Sequence, residues 1–169
     1  EPSIWSYGHR NPQGLAIHPE TGDLWINEHG PQGGDELNLV QPGLNYGWPV
    51  VGYGVNYRSG LAIHEGTLRE GMEPPTHFWG PSIATSGLMI YTGDRFPEWN
   101  GNIFVGGMAG QQLARLTMDG QDVVIEETLV HGMGRIRDVR QGPDGYIYLV
   151  IEDRQGEPTP IVRLEPVNN

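Results

Sequence analysis

The chain has 169 residues, with 26 glycines, 14 prolines, no cysteine and a formal net charge of −11. That length suffices for one domain with a real core, and the glycine and proline content is too high for a helical bundle. The acidic balance argues against nucleic acid as a partner. The missing cysteines exclude disulfides, thiolate metal sites and a cysteine nucleophile. No run reaches transmembrane length. The opening Glu1-Pro2-Ser3 has no basic or apolar leader, so no signal peptide is expected here, as in a mature or truncated secreted protein.

Apolar residues do not recur at helical spacing over four turns. Aromatic and β-branched residues sit in short runs between turn signals, which predicts an all-β protein. The first unit runs Gly14-Leu15-Ala16-Ile17, turns at Thr21-Gly22-Asp23 and returns as Leu24 to Glu28. The second runs Gly87 to Tyr91, turns through Asp94 to Gly101 and returns as Asn102 to Gly106, with a further strand over Gln112 to Met118. The third runs Asp138-Val139-Arg140, turns at Pro143-Asp144-Gly145 and returns as Tyr146 to Val150, followed by Ile161 to Leu164. A strand–turn–strand unit repeated at such intervals predicts propeller blades. Between the first two units lies an insertion, about 31–81, rich in Gly, Pro and Tyr.

Several segments are too dense in Gly, Pro, Asn, His and Trp to be strands, and read as loops whose backbone groups face a ligand. They are Tyr7-Gly8-His9-Arg10-Asn11-Pro12-Gln13-Gly14, Glu28-His29-Gly30-Pro31, Asp35-Glu36-Leu37-Asn38 and Asn45-Tyr46-Gly47-Trp48-Pro49. Arg135 and Arg137 are two apart, so in a strand they share one face, where two cations call for a bridging anion. Read without context, they belong to a solvated edge strand with acidic neighbours. Gly30 and Pro31 can offer only carbonyls, which Ca²⁺ accepts readily. No histidine pair has zinc spacing, and no EF-hand, P-loop, nucleophile elbow or dinucleotide fingerprint is present.

Together these motifs resemble the soluble quinoprotein aldose-sugar dehydrogenases, relatives of soluble glucose dehydrogenase that use pyrroloquinoline quinone (PQQ) and calcium. The resemblance runs from Tyr7 to about Leu164 and implies a six-bladed β-propeller. Residues 1–169 look like its C-terminal half, about three blades with the insertion at about 31–81. In the family's complete enzyme an aldose is oxidised to a lactone. A histidine base takes the anomeric proton, hydride passes to the quinone, and electrons leave to an external acceptor. That base lies in the N-terminal half, so no catalytic residue is expected in this chain.

The resemblance assigns cofactor contacts to Arg10 and Asn11, to Tyr57, to Gly107, Met108 and Ala109, and to Arg135 and Arg137. Ala109 stands where the family commonly has a lysine. Calcium falls on the carbonyls of Gly30 and Pro31, with Glu36 and the Tyr46 carbonyl at a second position and Asp35 beside it. His9 and His29 are expected to orient loops. A periplasmic or secreted location is implied, as is association with the missing half or with a second copy. The rival expectation is a non-catalytic propeller module that binds sugar or an extracellular partner.

Overall fold

The computed structural model describes residues 3–167. These form three antiparallel sheets that follow one another along the chain. The first contains β1 (Pro12–Ile17), β2 (Leu24–Glu28), β3 (Asp35–Val40) and β4 (His77–Trp79). The second contains β5 (Thr85–Ile90), β6 (Ile103–Gly107), β7 (Gln112–Asp119) and β8 (Asp122–His131). The third contains β9 (Arg135–Gln141), β10 (Ile147–Glu152) and β11 (Ile161–Leu164). Neighbouring strands pair in sequence order, β1 packs on β5, and β5 packs on β9. The sheets are therefore three propeller blades whose first strands stand side by side.

The insertion differs from its sequence reading. Residues 31–81 read as one loop, but β3 and β4 lie inside it and leave 41–76 as the connection. Asp35 and Asn38 interrupt the apolar alternation of β3, yet both are buried, because their side chains are hydrogen-bonded inside the fold. β8 also escapes the sequence reading. Glu126, Glu127 and Thr128 hide it, as this outer strand is mostly exposed and is held by its pairing to β7.

The middle blade is apolar on both faces, as a sheet covered on both sides must be. Leu88, Ile90, Ile103 and Val105 pack with Trp25, Leu37 and Trp79 of the first blade. Met89, Phe104 and Leu113 pack with Ile136, Val139 and Leu149 of the third. The outer face of β1 is not covered in this way: Leu15 and Ile17 are 58% and 62% exposed.

Between blades the first strands come too close for side chains. A Cβ on Gly14 would lie 2.7 Å from the Leu88 Cβ and backbone N and from the Ser86 carbonyl. Buried polar groups cross the gap instead. Asn27 accepts the Gly14 N–H at 2.6 Å and donates to the Ser86 carbonyl at 3.0 Å, while the Ser86 hydroxyl donates to the Ile136 carbonyl at 2.6 Å. The register places Pro12, Glu28 and Asp35, then Thr85, Gly107 and Gln112, then Arg135 and Glu152 at one end of the blades. The loops that carry the motifs emerge there.

Gly14→Ala is expected to lower the unfolding free energy by about 1–3 kcal/mol, because the methyl group must push the two blades apart. Urea unfolding measures this, and an unchanged midpoint would contradict the close approach.

Candidate functional site

The loop before β1 is held from two sides. The Gly8 carbonyl accepts the Trp48 N–H, and Tyr7 exchanges backbone bonds with Leu44 and Tyr46. On the other side Glu28, at the end of β2 and 3% exposed, accepts the N–H groups of Arg10 at 2.5 Å and Asn11 at 3.2 Å. The Arg10 guanidinium lies over the Trp48 ring, 5.1 Å from its centroid, and donates to the His29 carbonyl at 3.0 Å. Asn11 donates to His29 Nδ1 at 3.5 Å and accepts from Gln13. His29 Nε2 donates to the Thr85 carbonyl at 2.6 Å, which fixes its tautomer. His9 stacks on Tyr46 and contacts Ser6 and Glu28. Both histidines thus orient loops.

The Gly30–Pro31 turn follows. Asp35 Oδ1 accepts the Gly30 N–H at 3.1 Å, while its Oδ2 accepts from the Ser82 hydroxyl at 2.5 Å and the Thr85 N–H at 3.2 Å. Asp35 therefore ties this turn to the second blade. A Cβ on Gly30 would collide with the Gly33 and Gly34 carbonyls, so only glycine fits. The Tyr57 hydroxyl reaches the Gly30 carbonyl at 3.4 Å. A cavity of about 330 Å³ opens beside the turn, lined by Gly30, Pro31, Tyr57, Ser82 and Ala109. Four sequence-assigned positions thus meet around one space.

Arg135 and Arg137 share a face of β9, as their spacing predicts. Both reach the buried Met108 sulfur, at 3.5 and 2.9 Å, and both pair with Glu152, at 3.1 and 3.4 Å. Glu152 is the counter-charge, while Asp138 pairs with Arg140. Met108 is the chain neighbour of Ala109, which lines the cavity. Gly107 is buried within the β6–β7 pairing, against Gln112 and Ile83, and does not line the cavity. Arg10 lies at the same end of the blades, but its described contacts are with Trp48 and His29 rather than with the arginine pair.

Glu36 and Tyr46 line a second, small space of about 20 Å³, roughly enough for one water or ion. Burial pushes the Glu36 carboxyl up to about 7, the Asn38 hydrogen bond opposes this, and the nearby Glu28 and Asp35 add to it. Asn38 donates to Glu28 at 3.1 Å and Glu36 at 3.3 Å, while its buried Oδ1 has no partner. Among the described residues no cluster of three or more His, Asp or Glu side chains could hold a metal by itself. Oxygen donors from carboxylates and carbonyls together still form the set a hard cation prefers.

Sequence reasoning missed Asn27, named Glu28 and Asn38 within motifs without giving them a role, and gave Asp35 only a helper's place. The signal was present: polar residues end the apolar run Leu24-Trp25-Ile26 at the point where the glycine-rich loops begin.

A stack of propeller blades with its polar groups gathered at one end is a scaffold for a loop-borne ligand site. The glucose/sorbosone dehydrogenase family model matches residues 1–163, and the chain belongs to that family. It is 44% identical over 168 residues to aldose sugar dehydrogenase YliI of Escherichia coli K12, covering 98% of this chain and 44% of that protein. A glucose dehydrogenase crystal structure superposes with a TM-score of 0.84 at 52% identity, over 88% of this chain and 44% of that one. The PQQ-bound aldose sugar dehydrogenase of Streptomyces coelicolor superposes with a TM-score of 0.71 at 30% identity, over 96% and 45%. The chain spans less than half the length of these relatives.

Glu36 sets a pH dependence. The folded chain keeps this proton up to about 7, whereas the ordinary value is 4.5, so stability falls as pH rises across that window. Glu36→Gln is therefore expected to stabilise the metal-free chain by about 3 kcal/mol at about pH 8 and by almost nothing at about pH 4. Thermal melts at the two pH values check this.

Proposed function

We propose that this chain is the cofactor- and calcium-holding part of a PQQ-dependent aldose dehydrogenase that converts aldoses to lactones. The observation that supports this most is the cavity where Gly30, Pro31, Tyr57 and Ala109 meet, with Arg135 and Arg137 held on the sulfur of Met108, the residue before Ala109. The Gly30 and Pro31 carbonyls would hold calcium beside the cofactor, and the Glu36 carboxylate with the Tyr46 carbonyl would hold a second ion. Arg135 and Arg137 would exchange Glu152 for cofactor carboxylates, which suit the guanidinium fork. Arg10 and Asn11 would contact the quinone edge from the loop that Glu28 and Trp48 brace. When bound, PQQ accepts hydride and calcium acts as a Lewis acid.

The chain's own part is binding and orientation. His9 and His29 are engaged in loop contacts, and the proton-abstracting group would come from outside this stretch. The open face of β1, with Leu15 and Ile17, would pack against a further blade, supplied by the rest of the enzyme or by a second copy. A periplasmic or secreted location and an external electron acceptor complete the reading. The second reading is a module that binds sugar without turnover. It draws on Ala109, which leaves the cavity without a lysine, and on Glu152, which already balances the arginines.

Calorimetry on the chelator-treated chain is expected to show Ca²⁺ binding, and PQQ added with Ca²⁺ is expected to change its absorbance. Arg137→Ala should weaken PQQ roughly tenfold or more by removing a charge-assisted contact. Turnover of an aldose by the chain alone is not expected, since base catalysis contributes typically 10²–10⁴-fold. Absence of both calcium heat and PQQ absorbance change would contradict the proposal, and light scattering tests the predicted association.

A further inference from the structure

Glu28 is a buried carboxylate with no Lys or Arg paired to it among the described residues. Its oxygens are nevertheless fully used. Oε2 accepts the Arg10 and Asn11 N–H groups, and Oε1 accepts from His9 Nδ1 and Asn38 Nδ2, each at 3.1 Å. A carboxylate offers about four acceptor positions, and four donors occupy them here. Two consecutive backbone N–H groups converging on one oxygen form an anion-binding nest. In this nest the anion is a side chain from the neighbouring strand.

The consequence concerns Arg10 and Asn11. On this side the Asn11 carbonyl also accepts the His29 N–H at 3.0 Å, while β1 pairing starts only at Pro12, opposite Glu28 itself, so the Arg10 and Asn11 N–H groups depend on Glu28. Gly8, at a φ of +79°, admits no side chain between itself and Asn45, Tyr46 and Gly47, so the loop is already pressed against the long connection. Glu28 closes it from the opposite side. With both edges fixed, the Arg10 side chain runs between the Trp48 ring and the His29 carbonyl, and the Asn11 amide meets His29. The same carboxylate holds His9 through Nδ1, leaving Nε2 to the Ser6 hydroxyl at 2.8 Å.

We infer that Glu28 is a positioning residue. It fixes the Arg10–Asn11 loop, through that loop's own N–H groups, in the conformation that presents Arg10 and Asn11 to the cofactor. The cofactor half of this statement rests on the function proposed above. The loop half rests on the hydrogen bonds alone. Charge and acceptor count both matter, so glutamine is not a silent replacement. Its amide can give an oxygen to the two loop N–H groups only by turning its nitrogen to His9 and Asn38, and even then both loop bonds lose the charge assistance of a carboxylate.

The test uses the full chain with Glu28→Gln and Glu28→Asp. Hydrogen exchange followed by NMR reads the Arg10 and Asn11 amides, with Phe104 in β6 as an internal reference. Glu28→Gln is expected to speed exchange at Arg10 and Asn11 about tenfold or more while Phe104 keeps its protection. Glu28→Asp keeps the charge with a shorter reach and should fall between the two. In parallel, PQQ titration with Ca²⁺ present should show roughly tenfold weaker binding for Glu28→Gln and partial rescue by Glu28→Asp.

Unchanged exchange at Arg10 and Asn11 would overturn the inference, as would faster exchange with PQQ affinity kept. If the unmodified chain binds no PQQ, the proposed function and the cofactor half of the inference fall together, and the amide exchange separately decides the loop half. If Glu28→Gln does not fold, Glu28→Asp carries the same readouts. Native exchange and native PQQ affinity in that variant would then overturn the inference.

Discussion

The structure depends on how the first strands of adjacent blades meet. β1, β5 and β9 stand side by side without a shared ladder, so backbone groups at their junctions have no strand partner. An unpaired buried N–H or carbonyl costs free energy comparable to a lost hydrogen bond. Asn27 and Ser86 satisfy those groups, and glycine at position 14 makes the spacing possible. Apolar packing between the blades follows from that spacing, with Leu88 and Met89 facing opposite neighbours in a single strand.

The same device continues into the loops. Asp35 gathers the Gly30 N–H, the Ser82 hydroxyl and the Thr85 N–H, and so fixes the turn of one blade to the start of the next. His29 adds a bond to the Thr85 carbonyl. Residues that look chemical in sequence are spent on architecture, and that architecture presents Gly30, Pro31 and Tyr57 to a common cavity. Rigid support beneath irregular loops is what a site must have if its backbone carbonyls are to act as ligands.

Electrostatics divide the end of the blades in two. Glu28, Asp35 and Glu36 crowd the first blade, and burial keeps Glu36 protonated up to about 7. Arg135 and Arg137 concentrate positive charge on the third, held by one carboxylate and one sulfur. The anionic cofactor with a bound cation proposed above would match that division. A neutral sugar on its own does not call for it.

The sequence by itself determined the all-β class, the hairpin cores and the facing of Arg135 with Arg137. Each of these follows from local periodicity and turn chemistry, which a few neighbouring residues encode. It also marked the loops around Gly8–Asn11, His29–Pro31 and Asn45–Pro49 from their glycine, proline and asparagine content, but it misplaced Asp35–Asn38, which lies in strand β3. Only the tertiary structure decided that β3 and β4 lie within the insertion, since Asp35 and Asn38 become strand residues once distant partners satisfy them. Only the tertiary structure could set Met108 under the two arginines, Ala109 against Gly30 and Pro31, and Glu28 beneath Arg10 and Asn11. Those contacts join residues from 17 to about 80 positions apart, and no local pattern encodes which buried polar group answers which distant donor.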